Sequence, residues 1–484
     1  MVHFASIFYL IGWLLLILSG FSIFPAAIDF FRGCDDYKVY LFSGVVMVFL
    51  GALFIFSTRS EEELEFDKRD SFVLTVMAWL LVIIFSAIPF LLAGYNFSCT
   101  DSFFETVSGL TTTGATVLVK LDQMPWGILL WRSILQWLGG IGIVVMALTV
   151  LTEMRIGGME LFQTESSEKS EKFLPRVAQI AKIIFWVYLI LTVLCFACLW
   201  ACGMTWFDAL CHSFTTVSTG GFSTHDASIT FFNSFKIEGI LTVFMFLGGI
   251  TQLSFIHLWD GRWKKFFEDS QFQSYTKILF AAVLALIAWK LIYKNEEEPL
   301  TIIVKTLFNL TSIMTTTGFE STDYTAWGGF AIILVFFLPF IGGSTGSTSG
   351  GIKVFRCQVL WEVAVNQLRK IRRPHGIYLP KYNGREISKE GFNSVSAFFI
   401  FFLISFAMLA LILAFLGLDA MTALSASASM LTNVGPGIGE VIGPTKTYTH
   451  LTDSVKWVLM VGMLLGRLEL LTLYVLFLKS FWKD

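Results

Sequence analysis

Runs of apolar residues at 7–28, 39–56, 72–94, 128–151, 183–199, 240–256, 278–292, 398–416 and 455–478 alternate with short polar intervals. Each run approaches the roughly 17–25 residues that carry a helix across a bilayer, so the pattern predicts a polytopic helical membrane protein. The first run is too long, and lacks the small-residue cleavage site, for a removable signal peptide. Shorter semi-polar segments stand at 101–110, 207–217, 301–314 and 419–431. At roughly 10–14 residues they cannot cross the hydrocarbon, and they predict re-entrant helices. Asp101, Asp208 and Asp419 lie near three of their starts, where a carboxylate can cap the helix and complement its dipole.

After each short segment comes a glycine-containing polar stretch: TTTGATV (111–117), VSTGGFS (217–223), TTTGFES (315–321) and TNVGPGI (432–438). A second landmark follows in each case, LGGIG from Leu138, LGGIT from Leu247, IGGST from Ile341 and LGRLE from Leu465. The chain therefore reads as an N-terminal transmembrane hairpin, 1–57, and four copies of one unit at 70–153, 176–260, 274–370 and 392–484. The expected fold is an all-α polytopic membrane protein. Its four pseudo-symmetric repeats, each helix, pore helix, filter and helix, surround a central pore.

Irregular backbone at membrane depth must line an aqueous cavity or be buried in protein. Four such loops around one axis can present carbonyl oxygens in place of a cation's hydration shell. Glycine lets the chain turn with φ > 0, and the C-terminal ends of the short helices bring partial negative charge to the loops. None of the four loops holds Lys or Arg, which argues against an anion site. The pattern predicts a cation filter with its glycines at Gly114, Gly220, Gly318 and Gly435. Thr112, Thr113, Thr219, Thr316, Thr317, Asn433 and Val434 line it beside them.

Composition agrees. The chain is 55% hydrophobic and 14% charged, with mean hydropathy +0.71, whereas soluble domains carry about 25% charged residues. Net charge is −2, but Lys and Arg gather at 59–69, 155–176, 262–265, 353–389 and 479–483. These are read as cytoplasmic, with both termini inside. The basic stretch 367–385 serves orientation and lipid headgroup contact. Seven cysteines are scattered, and Cys195 and Cys198 fall inside an apolar run as packing residues.

The third unit breaks its own pattern. Residues 327–341 make about 22 Å of helix, short of the roughly 30 Å of hydrocarbon. Then come Gly342, Gly343, Ser344, Thr345, Gly346, Ser347, Thr348, Ser349, Gly350 and Gly351, which can neither hold a helix nor face lipid. A discontinuous helix with its loop in the pore is expected. A phosphate-cradling loop competes, but Ile352 stands where that motif needs lysine. Arg467 lies deep in the last apolar run, as a pore charge gating cations or as half of an interhelix salt bridge. The carbonyls of loop 342–351 are its expected partners. Glu105 and His212, in the first two short helices, are expected to brace the loops from behind.

FFETVSGLTTTGATV, VSTGGFST, TTTGFEST, TNVGPGIG and MLLGRLELLT together resemble the superfamily of Trk, Ktr and HKT potassium transporters, most strongly its TrkH/TrkG branch. The resemblance runs over essentially the whole chain and includes the N-terminal hairpin. It implies potassium as the permeant ion, bound at the four filter loops, and one filter glycine per repeat. In some HKT-like members the first glycine is a serine, linked with sodium transport; glycine here supports potassium. The fourth loop departs from the Thr-rich pattern with Asn433, Val434 and Pro436. The resemblance also implies that 342–351 is an intramembrane loop obstructing permeation. It implies a homodimer in the bacterial inner membrane, docked on a cytosolic ring of nucleotide-binding regulatory subunits of TrkA type. The chain itself has no Rossmann or Walker signature, so it should bind no nucleotide.

Three rivals fit less well. Alternating-access transporters usually show two repeats of opposite topology, whereas the charge rule gives four of the same. A voltage-gated channel needs a helix of spaced arginines. A membrane enzyme would need a constellation such as H-E-x-x-H, and the six histidines are dispersed.

Overall fold

The computed structural model describes residues 2–58, 68–95, 97–153, 173–293, 298–376, 378–383 and 385–483. The basic stretches at 59–69 and 155–176 lie largely outside them. Among the described residues six helices are long and apolar enough to cross a membrane: Phe4–Phe31, Tyr37–Thr58, Arg69–Leu92, Ala181–Ala201, Ser270–Tyr293 and Lys389–Phe415. Their outer faces carry large exposed apolar side chains such as Ile23, Phe49, Leu284 and Leu411, which suits lipid rather than water. The protein is thus an all-α polytopic membrane protein. Its single β feature among the described residues is a two-residue antiparallel ladder, Lys381–Tyr382 with Arg385–Glu386.

The first two helices form a hairpin whose crossing is set by Gly12 and Gly51. A Cβ on either would come within about 3 Å of the other's carbonyl oxygen, so only glycine lets the backbones approach this closely. The hairpin leans on the long helix Trp126–Glu153 through Tyr40 against Trp131 and Phe21 against Trp137.

The four short helices run Cys99–Leu110, Trp206–Val217, Pro299–Met314 and Ala420–Thr432, within two residues of the expected bounds. Their caps differ from expectation in two cases. Ser98 and Thr205 are the N-caps, accepting from the N–H of Asp101 and Asp208 and donating back to those carboxylates at 2.8 and 2.7 Å. The spacing Ser/Thr-x-x-Asp seats the acid one turn in, where its charge still meets the dipole. Asp419 is itself a cap, and Pro299 opens the third helix without one.

The helices that follow the loops depart further. The break expected in the third unit is present, with Gly329–Ile341 and Val354–Arg372 flanking the loop. Two runs read as continuous, 240–256 and 455–478, are broken as well: Phe235–Gly248 stops before Ser254–Trp259, and Asp453–Arg467 before Leu471–Leu476. Hydropathy could not register this, because the breaks come from competing hydrogen bonds. In the second unit the Ser344 N–H takes the Gly249 carbonyl at 2.8 Å, while the Gln252 N–H turns to the Gly346 carbonyl at 3.1 Å. In the fourth, Glu469 adopts φ 53°, which no α-helix accommodates.

Candidate functional site

One or two residues past each short helix stands a residue in the left-handed region: Thr112, Thr219, Thr316 and Asn433, with φ of 51, 52, 57 and 56°. The next N–H reaches back over the last turn, from Thr113 to Ser108, Gly220 to Thr215, Thr317 to Ser312 and Val434 to Ser429, at 2.8–3.0 Å. This six-residue closure satisfies an otherwise orphaned carbonyl. Threonine is β-branched and strained at φ > 0, so surrounding bonds must hold it there. Asn433 fits the same seat with less strain.

One residue further, Gly114, Gly221, Gly318 and Gly435 are at φ +83, +79, +83 and +100°. The second unit's register therefore differs by one from the sequence alignment: Gly221, not Gly220, is the counterpart of Gly114. Two adjacent glycines left that choice open, and Gly220 takes the place held by Thr113, Thr317 and Val434. Glu105, His212 and Asn309 confirm the shift, standing at one common spacing before Gly114, Gly221 and Gly318.

These glycines fit edge to edge. A Cβ on Gly114 would strike the carbonyl oxygen of Gly220, one on Gly221 that of Thr317, one on Gly318 that of Val434, and one on Gly435 that of Thr113. Each loop abuts the next and the fourth closes on the first. All four glycines line a single cavity, shared with His225, Asp226, Glu320 and Lys446.

Side chains behind the loops hold them in place. The Glu105 carboxylate accepts from the Val117 N–H at 3.0 Å, from Thr116 Oγ1 and from Arg132 Nε at 2.7 Å, both ionic partners being buried. Arg132 reaches on to the Ser223 carbonyl in the second loop at 3.1 Å. His212 Nε2 lies 3.0 Å from Ser223 Oγ, and Asn309 donates to Ser321 Oγ at 3.0 Å. Gln136 brackets the double glycine, donating to the Gly220 carbonyl at 2.5 Å and accepting from the Phe222 N–H at 3.0 Å. In the fourth unit Tyr448 Oη donates to the Gly435 carbonyl at 2.7 Å. Gln136 and Arg132 escaped notice because they sit in an apolar helix that otherwise looks like plain membrane span.

Loop 342–351 lies directly against the helix-terminal side of this ring. The Gly350 N–H donates to Thr316 Oγ1 at 2.6 Å and the Gly351 N–H to the Thr432 carbonyl at 3.1 Å. Thr348 Oγ1 bonds the carbonyls of Val217 and Gly248, both at 3.1 Å, and meets Thr219 Oγ1 at 3.3 Å. Ser344, Ser347, Thr348 and Ser349 are buried. A Cβ at Gly350 would collide with the Thr432 carbonyl, so the loop approaches as closely as backbone can.

Arg467 is the last residue of its helix rather than a mid-helix group. It stands where the other units have Gly140, Gly249 and Gly343, and its guanidinium is buried. Nη1 donates to the Thr348 carbonyl at 3.0 Å and Nη2 to the Gly139 carbonyl at 3.4 Å. Glu469 turns elsewhere and pairs with Arg356 at 2.5 Å. Lys353 Nζ donates to the Ser349 carbonyl beneath the loop. Lys353 and Arg356 were read as part of a cytoplasmic basic stretch; both are buried, which charge counting along the sequence cannot reveal.

Known proteins resemble this chain in sequence and in fold. The family profile described as TrkH, cation transport protein, matches residues 38–293 and 299–484. A Trk system potassium uptake protein TrkI of Halomonas elongata is 40% identical over 414 residues, covering 85% of this chain and 84% of that protein. A Trk system potassium uptake protein TrkH of Vibrio parahaemolyticus is 37% identical over 491 residues and the full length of both. The crystal structure of the potassium transporter TrkH from Vibrio parahaemolyticus superposes with a TM-score of 0.92 at 35% identity, covering 100% of each chain.

Proposed function

Because the chain belongs to the TrkH family of cation transport proteins, we propose that it takes up potassium across the bacterial inner membrane through the ring of four loops. The observation that carries this reading is the closed cycle of glycine-to-carbonyl contacts from Gly114 through Gly221 and Gly318 to Gly435. Four helix C-termini aim their partial negative charge at the loops, and none of the four loops carries Lys or Arg. Carbonyls of Thr113, Gly220, Thr317 and Val434, with those of the residues beside them, replace the ion's water. The rim of the cavity above carries groups of both signs, Asp226 and Glu320 beside His225 and Lys446.

The loop 342–351 and Arg467 form the gate. The loop occupies the exit from the ring, and the guanidinium both pins it and opposes a cation at that depth. Flow is passive, with no chemical step; this is a transport protein, not an enzyme. The working assembly is a homodimer whose cytoplasmic face docks a nucleotide-binding ring of TrkA type, with both termini cytoplasmic.

The test is uptake of radioactive rubidium into KCl-loaded proteoliposomes holding the purified chain, with K⁺ and Na⁺ as external competitors. The reading expects K⁺ to block uptake far better than Na⁺. Equal competition by the two ions would sink the selectivity claim.

A further inference from the structure

The N-terminal hairpin turns beside the start of helix Trp126–Glu153. There Asp29, Cys34 and Asp36 each bring one ligand atom to within 4.8 Å of the other two. Asp29 is 0% exposed. Its Oδ1 accepts from the Gly127 N–H at 2.8 Å, while Oδ2, equally buried, has no hydrogen-bond partner. A bare carboxylate oxygen inside protein is costly unless a proton or a cation meets it. Cys34 and Asp36 are half-buried, so the cluster opens to the surface on one side. The turn is already fixed: the Cys34 N–H donates to the Asp29 carbonyl at 2.9 Å, and Gly33 takes φ +70°. Asp36 Oδ2 accepts from Tyr95 Oη at 2.7 Å, the kind of outer contact that orients a ligating carboxylate.

We propose that Asp29, Cys34 and Asp36 form a binding site for a borderline divalent transition-metal ion, Zn²⁺ by type. Magnesium and calcium take oxygen ligands and avoid thiolate, whereas Cu(I) selects sulfur. One thiolate with two carboxylates suits Zn²⁺, water completing the tetrahedron. On binding, the metal–sulfur bond forms as the Cys34 thiol proton leaves to solvent, and both acids bind as carboxylates. The ion thereby joins the hairpin turn to Gly127, at the head of the helix that carries Arg132 and Gln136 behind the ring. This site is separate from the potassium path and stands whether or not that reading holds.

The experiment is calorimetric titration of the full chain in detergent with ZnCl₂, paired with the ultraviolet cadmium–thiolate charge-transfer band on titration with Cd²⁺. One ion per chain is expected, with the band present. Cys34→Ser removes the band and the zinc heat, while Cys99→Ser, at an exposed cysteine outside the cluster, leaves both intact. Because Asp29 is buried and accepts from the Gly127 N–H, so that its substitution also disturbs the fold, Asp36→Asn on the rim serves as second variant and weakens Zn²⁺ binding at least ~10-fold. Absence of Zn²⁺ binding to the wild type, or binding and band unchanged in Cys34→Ser, overturns the assignment.

Discussion

Nη1 of Arg467 donates to the carbonyl oxygen of Thr348 at 3.0 Å, tying the fourth unit to the loop inserted in the third. The same guanidinium touches Gly139 of the first unit, and Thr348 itself bonds Val217 and Gly248 of the second. One side chain and one loop residue thus connect all four units on the helix-terminal side of the ring.

Removing that tie should favour the open loop. A hydrogen bond to a charged donor contributes about 1.5–3 kcal/mol, which is roughly 10- to 100-fold in an equilibrium between loop in and loop out. Arg467→Ala should raise rubidium flux into proteoliposomes by about that factor, and Arg467→Lys, which keeps a donor, by less. Unchanged or lower flux from well-folded Arg467→Ala would remove Arg467 from the gate.

Gly221 and Gly220 should respond differently to a methyl group. At Gly221 the new Cβ meets the Thr317 backbone carbonyl with φ at +79°, so about 1–2 kcal/mol of conformational strain adds to a clash with immovable backbone. At Gly220 the three nearest atoms all belong to the Gln136 side chain, which can shift where backbone cannot. Gly221→Ala should lose potassium-over-sodium discrimination in the competition assay, while Gly220→Ala should retain most of it. The reverse order would contradict the register assigned here.

The short helices and the glycine loops after them were legible in the sequence because each is local. Helix length, the polar loop and the landmark glycines all lie within one stretch of chain. The short helices accordingly came within two residues of their true ends. What escaped is set by contacts between units. The choice of Gly221 over Gly220 depends on where the Thr317 carbonyl lies, and the end of helix Phe235–Gly248 on a loop about a hundred residues away. Lys353 and Arg356 looked like surface charge because their burial partners, the Ser349 carbonyl and Glu469, carry no sequence signature.

Glu105 and Arg132 form a buried pair, so losing one partner leaves the other charge uncompensated. Arg132→Met should cost about 3–5 kcal/mol, read as a fall in thermal unfolding midpoint in detergent. The double variant Glu105→Leu with Arg132→Met should recover part of that loss, since apolar replacement of both partners removes the desolvation penalty. Strict additivity of the two single changes would mean the pair is not coupled.

His225 and Asp122 should give the cavity rim a pH-dependent clasp, their nearest atoms being 2.5 Å apart. Burial pulls the His225 pKa down, but bonds to Asp208 and Asp122 outweigh it, and the net shift is upward. For Asp122 burial raises the pKa, yet His225 draws it below the ordinary carboxylate value. The histidine's contribution is full below its unfolded pKa of about 6.5 and is lost as pH rises through the raised folded value. The aspartate's contribution is full above about 3.9 and is lost as pH falls through its lowered value. The stability gap between wild type and His225→Asn should therefore be widest between about pH 4 and 6.5 and shrink in alkali. A gap independent of pH would exclude the clasp.

The most direct measurement is anomalous diffraction from crystals soaked in rubidium chloride. The account predicts a rubidium peak on the axis enclosed by Gly114, Gly221, Gly318 and Gly435, within coordinating distance of the carbonyls of Thr113, Gly220, Thr317 and Val434. Rubidium confined to other sites, with the ring empty at saturating salt, would contradict it.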